Sequence, residues 1–285
     1  MGMETFIVRV YRRDGSDPKR MAGAVEIPGV ARVIPFDSLV SLERILSAHK
    51  SERKAMEAST TVEETSSACE CKRFVFGVKL YQAQMTPSCR KVRMFLHEKS
   101  LSVQMEDATE GFGLSTHFVQ RYPHRTVPML ELEDGTQIGE SMAICRYLEE
   151  LYPEPPLFGT GPLNRVLIDI WERRAYLEGA GAFEEVFRNS HPLMVNRGLA
   201  GTSEPVPQIP ALVERGHGRV RRFFAKFEQR LNESRYVGGD FFSVADISTL
   251  CAVDFGRFVG LEIPEHCENL LRWYKEVSFR SSASA

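Results

Sequence analysis

The 285-residue chain carries 36 Lys and Arg against 38 Asp and Glu, a net charge of −2, with 43% hydrophobic and 26% charged residues. This balance gives no general attraction to nucleic acid or anionic membrane, so we expect neither as a partner. No apolar run approaches the roughly 20 residues of a membrane span, and charges interrupt the N-terminal stretch where a signal peptide would be apolar. The composition therefore favours a cytoplasmic protein, in which the six cysteines stay reduced.

Residues 1–50 predict a small β-β-α unit. Apolar residues alternate around Val8, residues 22–35 are extended and rich in β-branched side chains, and residues 38–48 repeat apolar positions at helical spacing. Residues 51–73 are polar and rich in Ser, Thr and Glu, which is typical of an exposed linker.

Residues 74–153 predict one α/β domain with the element order β-α-β-α-β-β-α. Asp134-Gly135 is the turn dipeptide expected between its last two strands, and prolines at 153, 155 and 156 end its last helix. The elements are predicted at 75–81, 87–99, 103–106, 114–120, 127–132, 136–138 and 141–151.

Residues 154–285 predict an all-helical domain, since apolar residues recur there at helical spacing with no sign of a further sheet. Ser243 and Asp246 have the Ser-x-x-Asp spacing of a capping box, in which the hydroxyl and the carboxylate satisfy free amides at a helix start. A structural role is expected for both residues.

Thr86-Pro87-Ser88-Cys89 lies where the first strand of the α/β domain meets its first helix. Proline suits the first helical turn, and the unpaired amides of a helix start favour an anion. Two interpretations follow from these residues alone. Thr86 can simply cap the helix, or it can face a bound ligand.

The order of elements and the Thr-Pro-Ser-Cys helix start resemble the soluble glutathione transferases. Two further motifs match: Val127-Pro128 is similar to the family's cis-proline turn, and Glu140-Ser141-Met142-Ala143-Ile144 to its Glu-Ser-x-Ala-Ile helix start. Asp246 corresponds to its helix-capping aspartate. The resemblance covers roughly residues 75–277 and implies a thioredoxin-like α/β domain followed by an all-α domain, and a homodimer.

The same resemblance implies a glutathione site. Thr86 takes the position that meets the glutathione sulfur and is the predicted catalytic residue, with glutathione as co-substrate. The backbone of Val127 would hold the cysteinyl part, and Glu140 and Ser141 the γ-glutamyl part. The family's usual Lys or Gln before Val-Pro is absent. Arg125 is the alternative partner for the glycine carboxylate of glutathione, unless it is only a solvated charge. Ser88 and Pro128 complete the predicted glutathione-binding residues.

Cys89 occupies the second cysteine position of a Cys-Pro-x-Cys motif whose first position is Thr86, so the chain lacks a dithiol there. Its spacing with Val92 and Leu96 predicts a buried packing role, while a monothiol reaction is the alternative. Cys69-x-Cys71 is too short and isolated for zinc, and we predict no metal site.

Three functions remain in competition. The leading one is a glutathione S-transferase that activates bound glutathione for attack on a hydrophobic electrophile, in a pocket lined by aromatic residues that could equally form core. These are Trp171, Tyr176, Phe183 and Phe187. Glutathione-dependent reduction of peroxides or mixed disulfides is the second, and a non-catalytic interaction module with the transferase fold the third. The sequence leaves open the electrophile and the role of the N-terminal unit.

Overall fold

The computed structural model describes residues 7–13, 21–26, 33–36, 38–42, 72–111 and 113–285. The chain divides into two compact units, Met1–Cys69 and Glu70–Ala285. Most of the predicted linker, including Cys69 and Cys71, lies outside the described residues.

The first unit contains an antiparallel sheet of three strands in the order β1-β2-β3. The strands are β1 (Ile7–Arg13), β2 (Met21–Glu26) and β3 (Val33–Phe36). The sequence predicted a single extended stretch over 22–35, whereas the structure has the two strands β2 and β3 in this range, and residues 27–32 lie outside the described residues. Residues 39–42 are helical, and the remainder of the predicted helix lies outside the described residues.

The second unit begins with a thioredoxin-like domain whose predicted element order is confirmed. Its four-stranded sheet has the order β5-β4-β8-β9, in which β4 and β5 are parallel and the other neighbours antiparallel. A small hairpin, β6 with β7, was not predicted. The elements are β4 (Arg73–Gln82), α1 (Pro87–Glu98), β5 (Leu101–Asp107), β6 (Thr109–Glu110), β7 (Gly113–Leu114), α2 (Thr116–Arg121), β8 (Met129–Glu131), β9 (Gln137–Gly139) and α3 (Ser141–Leu151).

A helical domain follows, as predicted. No helix in the part of the chain that the structure describes is long and apolar enough to cross a membrane. The segments are α4 (Pro162–Arg174), a π-helical turn (Ala175–Ala180), α5 (Gly181–Ser190), α6 (Pro210–Glu233), α7 (Val244–Phe258) and α8 (Glu268–Ser278), with short 3₁₀ turns at Pro192–Met194 and Ser281–Ser284.

Helix α7 lies at the centre of this domain, and its start is fixed as the sequence predicted. The Asp246 carboxylate accepts hydrogen bonds from the amide of Ser243 (3.0 Å), the amide of Val237 (2.8 Å) and the indole of Trp273 (2.8 Å). Gly256 allows the ring of Phe183 to pack directly on the helix, because a Cβ at Gly256 would lie 2.4 Å from that ring. The capping box therefore orders the core against which α1 packs.

Helix α1 contacts both the sheet and the helical domain. Arg90 donates to Asp254 on α7 (2.6 Å), and Lys91 to Glu172 on α4 (2.9 Å). At the other end of α1, Glu98 accepts a bidentate pair of hydrogen bonds from Arg280. These contacts fix the direction in which the start of α1 points.

Candidate functional site

The pairing of strands brings the predicted site residues to one edge of the sheet. Met129 pairs with Tyr81 on β4 and with Gly139 on β9. The segments that adjoin these three residues are therefore neighbours: the Ala83–Thr86 loop after β4, Val127-Pro128 before β8, and Glu140 after β9. Residues more than 50 positions apart in the sequence meet at this edge.

Thr86 begins α1 without capping it. Its backbone is extended (φ −90°, ψ 132°), Pro87 occupies the first turn, and the Thr86 side chain makes no capping hydrogen bond. Its hydroxyl instead donates to the carbonyl of Ala83 at 3.1 Å. The amides at the start of α1 consequently remain open to a ligand, beside the half-buried side chains of Thr86 and Ser88.

Cys89 is fully buried, as its helical spacing predicted. Its Sγ accepts a hydrogen bond from the amide of Ala83 at 3.3 Å. Burial raises the pKa of the Cys89 thiol, and the neighbouring Thr86 hydroxyl and Ala83 amide only partly oppose that shift. A buried, protonated thiol is a poor nucleophile, so the structure favours packing over the monothiol alternative.

Val127-Pro128 is a cis peptide. The Val127 side chain packs against a cluster that includes Tyr81, Phe118 and Met129. Within residues 72–111 and 113–285, neither the amide nor the carbonyl of Val127 has a hydrogen-bond partner. An extended peptide can therefore pair with this backbone in the manner of a β-strand.

Glu140 and Ser141 form the start of α3. Glu140 is exposed and has φ +61°, a left-handed conformation that costs a non-glycine residue about 1–3 kcal/mol and is characteristic of functional sites. Its side chain does not cap the helix. Ser141 is buried, so its amide and those that follow offer hydrogen bonds from a sheltered position.

The negative charge of Glu140 acts on two phenols. Burial raises the pKa of Tyr122, and the negative charge of Glu140 adds to that shift. Burial and the same carboxylate also raise the pKa of Tyr176, which belongs to the π-helical turn. Tyr176 of the helical domain is thus within electrostatic reach of Glu140.

Arg125 precedes Val127 in the loop that follows α2. It is half-buried with φ +55°, and its amide donates to Tyr122 at 3.1 Å. Its guanidinium forms no ion pair or hydrogen bond with any residue the structure describes. A guanidinium can hold a carboxylate in bidentate geometry, so Arg125 stays the candidate partner for a carboxylate beside Val127.

A small cleft opens between the start of α1 and the helical domain. Of the aromatic residues predicted as pocket lining or core, Tyr176 lines the cleft and Phe183 is fully buried in the core. Trp171 packs edge-on against Phe227 and Phe187 against Phe255, but both side chains are partly exposed, so their place in a pocket stays a prediction. Phe183 fills space between helices, a role that apolar spacing in the sequence does not distinguish from lining a pocket. The lining residues are Pro87, Ser88, Lys91, Tyr176, Ala180, Ser248, Cys251 and Ala252.

A buried polar network beneath this cleft was not predicted from the sequence. Lys91 Nζ lies 2.9 Å from Glu172 Oε1, and both side chains are only 5% exposed. Ser248 donates to the same oxygen at 2.9 Å, and the ring of Tyr176 lies under the Lys91 ammonium. Charged residues on amphipathic helices are ordinarily solvated, so no sequence signal indicated this pairing.

Comparisons with known proteins agree with this architecture. The sequence model described as "Glutathione S-transferase, N-terminal domain" matches residues 80–156, and "Glutathione S-transferase, C-terminal domain" matches residues 192–280. Glutathione S-transferase 2 of Saccharomyces cerevisiae is 33% identical over 212 residues, which cover 71% of this chain and 86% of that protein.

Solved structures give the same result. A class Gtt2 glutathione S-transferase of Vibrio parahaemolyticus is 36% identical with a TM-score of 0.60, covering 72% of this chain and 94% of that one. Gtt2 of Saccharomyces cerevisiae is 31% identical with a TM-score of 0.66, covering 72% and 98%.

Proposed function

Because the chain belongs to the glutathione S-transferase family, we propose that it binds glutathione at the sheet edge and activates its thiol for attack on a hydrophobic electrophile. The observation that carries the proposal is the pairing of Met129 with both β4 and β9. That pairing brings together the uncapped start of α1, the unpaired backbone of Val127 and the uncapped start of α3.

Each part of glutathione has a matching group at this edge. The amide and carbonyl of Val127 pair with the cysteinyl residue. The first amides of α3 and the Ser141 hydroxyl bind the γ-glutamyl carboxylate, while Glu140 accepts from the ammonium. Arg125 binds the glycine carboxylate in bidentate geometry.

Thr86 activates the thiol without acting as a base. An ordinary thiol has a pKa of about 8.5, and lowering it by roughly two units requires about 2.7 kcal/mol in favour of thiolate. A hydrogen bond to a charged group supplies about 1.5–3 kcal/mol, and a helix N-terminus about 0.3–1 kcal/mol more. Thr86 must turn its proton from Ala83 to the sulfur, exchanging a neutral hydrogen bond for a stronger charge-assisted one.

The electrophile binds over the small cleft beside Ser88, which by itself has room for about one water molecule. The thiolate attacks an electrophilic carbon, the new C–S bond forms, and the leaving group departs with its electron pair. Catalysis then consists of thiolate stabilisation together with the mutual orientation of two bound substrates. Such a reaction serves detoxification. The reducing cytoplasm is the compartment that suits the four buried free thiols, those of Cys89, Cys145, Cys251 and Cys267.

We also propose a homodimer formed through α4. Four large apolar residues repeat at helical spacing on the solvent side of this helix and are 40–73% exposed, an arrangement that is unusual on a monomer. Leu177, in the π-helical turn that follows α4, is a further exposed apolar residue. The residues of α4 are Leu163, Val166, Leu167 and Ile170.

The function is tested by calorimetric glutathione binding and by conjugation of a chloronitrobenzene, in the wild type, Thr86→Val and a matched Thr160→Val control. Thr160 is exposed in the loop before α4, so its substitution should change nothing. Thr86→Val should keep glutathione affinity and lose most of the conjugation rate. Absence of glutathione binding would instead support the interaction module, and faster disulfide or peroxide reduction than conjugation would support the reductase.

A further inference from the structure

A long connection between α5 and α6 folds back on itself. We call this segment, residues 191–209, the flap. The Gly198 amide donates to the carbonyl of Val206 at 2.9 Å, and the Val206 amide donates to the carbonyl of Asn196 at 3.0 Å. A Cβ at Gly198 would lie 2.8 Å from the Pro207 carbonyl oxygen, so the two arms are in close backbone contact. The flap is thus a defined structure.

Both ends of the flap are tied to the end of α5. The Gln208 side chain donates to the carbonyls of Arg188 and His191, each at 2.9 Å. The amide of Ile209 donates to the side chain of Asn189, which is 7% exposed, at 2.9 Å. The base of the flap therefore has a fixed direction relative to the helical domain.

The tip of the flap reaches the thioredoxin-like domain next to the proposed glutathione site. Gly201 has φ +77°, and a Cβ placed there would lie 3.7 Å from Thr126 Cγ2 and 3.8 Å from the His124 carbonyl oxygen. These two residues flank Arg125. The Arg197 guanidinium forms a second contact, since Nη2 would lie 3.1 Å from a Cβ at Gly113.

Arg125 has a backbone conformation that needs external support. Its φ of +55° is unfavourable for an arginine and persists only where the surroundings hold it. The tip of the flap lies next to Thr126 and His124, the residues on either side of Arg125. We propose that the flap positions Arg125 toward the glycine carboxylate of glutathione, so that the helical domain sets the selectivity for ligands that carry this glycine. The inference rests on the function proposed above.

The test compares glutathione with γ-glutamylcysteine, which lacks the glycine. Gly198→Ala forces the two arms of the flap apart, because the new Cβ meets the Pro207 carbonyl. Gly218→Ala is the matched control, since its Cβ meets only the ends of the Arg222 and Arg221 side chains at 3.7 and 3.8 Å. Calorimetry on the full chain should show that Gly198→Ala weakens glutathione binding roughly tenfold and leaves γ-glutamylcysteine binding unchanged. Gly218→Ala should bind both ligands like the wild type.

Gln208→Ala gives a second, independent variant, since it removes two anchoring hydrogen bonds and adds no atom. It should show the same selective loss, and combining it with Arg125→Gln should give little further loss because both act on one contact. Equal losses for the two ligands, or no loss for either, would overturn the role of the flap while leaving the proposed function intact. A wild type that binds neither ligand would overturn the proposed function, and this inference with it.

Discussion

Thr86 donates its hydroxyl proton to the carbonyl of Ala83 across 3.1 Å. The amide of Ala83 in turn donates to the thiol of Cys89 at 3.3 Å. A threonine hydroxyl has a single proton to donate, so it can serve either the carbonyl or a bound sulfur, but not both. Activation of glutathione therefore requires this hydrogen bond to be exchanged when the ligand binds.

Cys89→Ala should keep conjugation and lose stability. The substitution removes a buried sulfur and leaves the Ala83 amide without its acceptor, which should cost about 1–3 kcal/mol of unfolding free energy. Urea unfolding measures that cost, and steady-state kinetics measure conjugation. A folded Cys89→Ala protein without conjugating activity would show that the thiol takes part in the chemistry.

Removing either partner of the buried Lys91–Glu172 pair should destabilise the protein strongly. Lys91→Met leaves the Glu172 carboxylate buried without its cation, at a cost of about 3–5 kcal/mol. The double variant with Glu172→Leu should recover much of that loss. Arg146→Met breaks the exposed pair with Asp169 and serves as a control, with an expected cost below about 1 kcal/mol. Similar costs for the two single variants would contradict the importance of burial.

The contact between Glu98 and the C-terminal tail should depend on pH. Burial opposes ionisation of Glu98, but hydrogen bonds from Arg280 and Ser282 outweigh it and lower the pKa of the carboxyl. Its contribution is therefore present above the ordinary glutamate pKa, near 4.3, and is lost as the pH falls through the lower folded value.

Glu98→Gln measures this contribution. At neutral pH it should reduce the unfolding free energy by about 1–3 kcal/mol, and the difference from wild type should shrink in acid. Denaturant titrations at several pH values give the comparison. A difference that stays constant down to strongly acid pH would show that charge is not what holds the tail.

Leu167→Glu should convert the proposed dimer to a monomer. The substitution places a charge in the middle of the apolar stripe on α4, where dimerisation would bury it unpaired. Phe279→Glu changes an even more exposed apolar side chain outside the stripe and should leave the assembly unaltered. Analytical ultracentrifugation distinguishes the two cases, and a wild-type monomer would exclude the interface.

The sequence predicted most of the fold wherever local chemistry determines an element. Both ends of helix α3 were predicted correctly, because the Glu140-Ser141 motif indicates where it begins and Pro153 prevents its continuation. The hairpin of β6 and β7 was missed because two-residue strands carry no periodicity. The Lys91–Glu172 pair and the contact of Gly201 with Thr126 depend on tertiary packing between distant segments, which no local pattern encodes.

Titration of the bound glutathione thiol, followed by the ultraviolet absorbance of the thiolate, tests the role of Thr86 most directly. In the wild type the pKa should fall roughly two units below the ordinary thiol value of about 8.5. Thr86→Ser should keep that shift, and Thr86→Val should lose most of it while still binding glutathione. An equally low pKa in wild type and Thr86→Val would contradict the account and assign activation to another group.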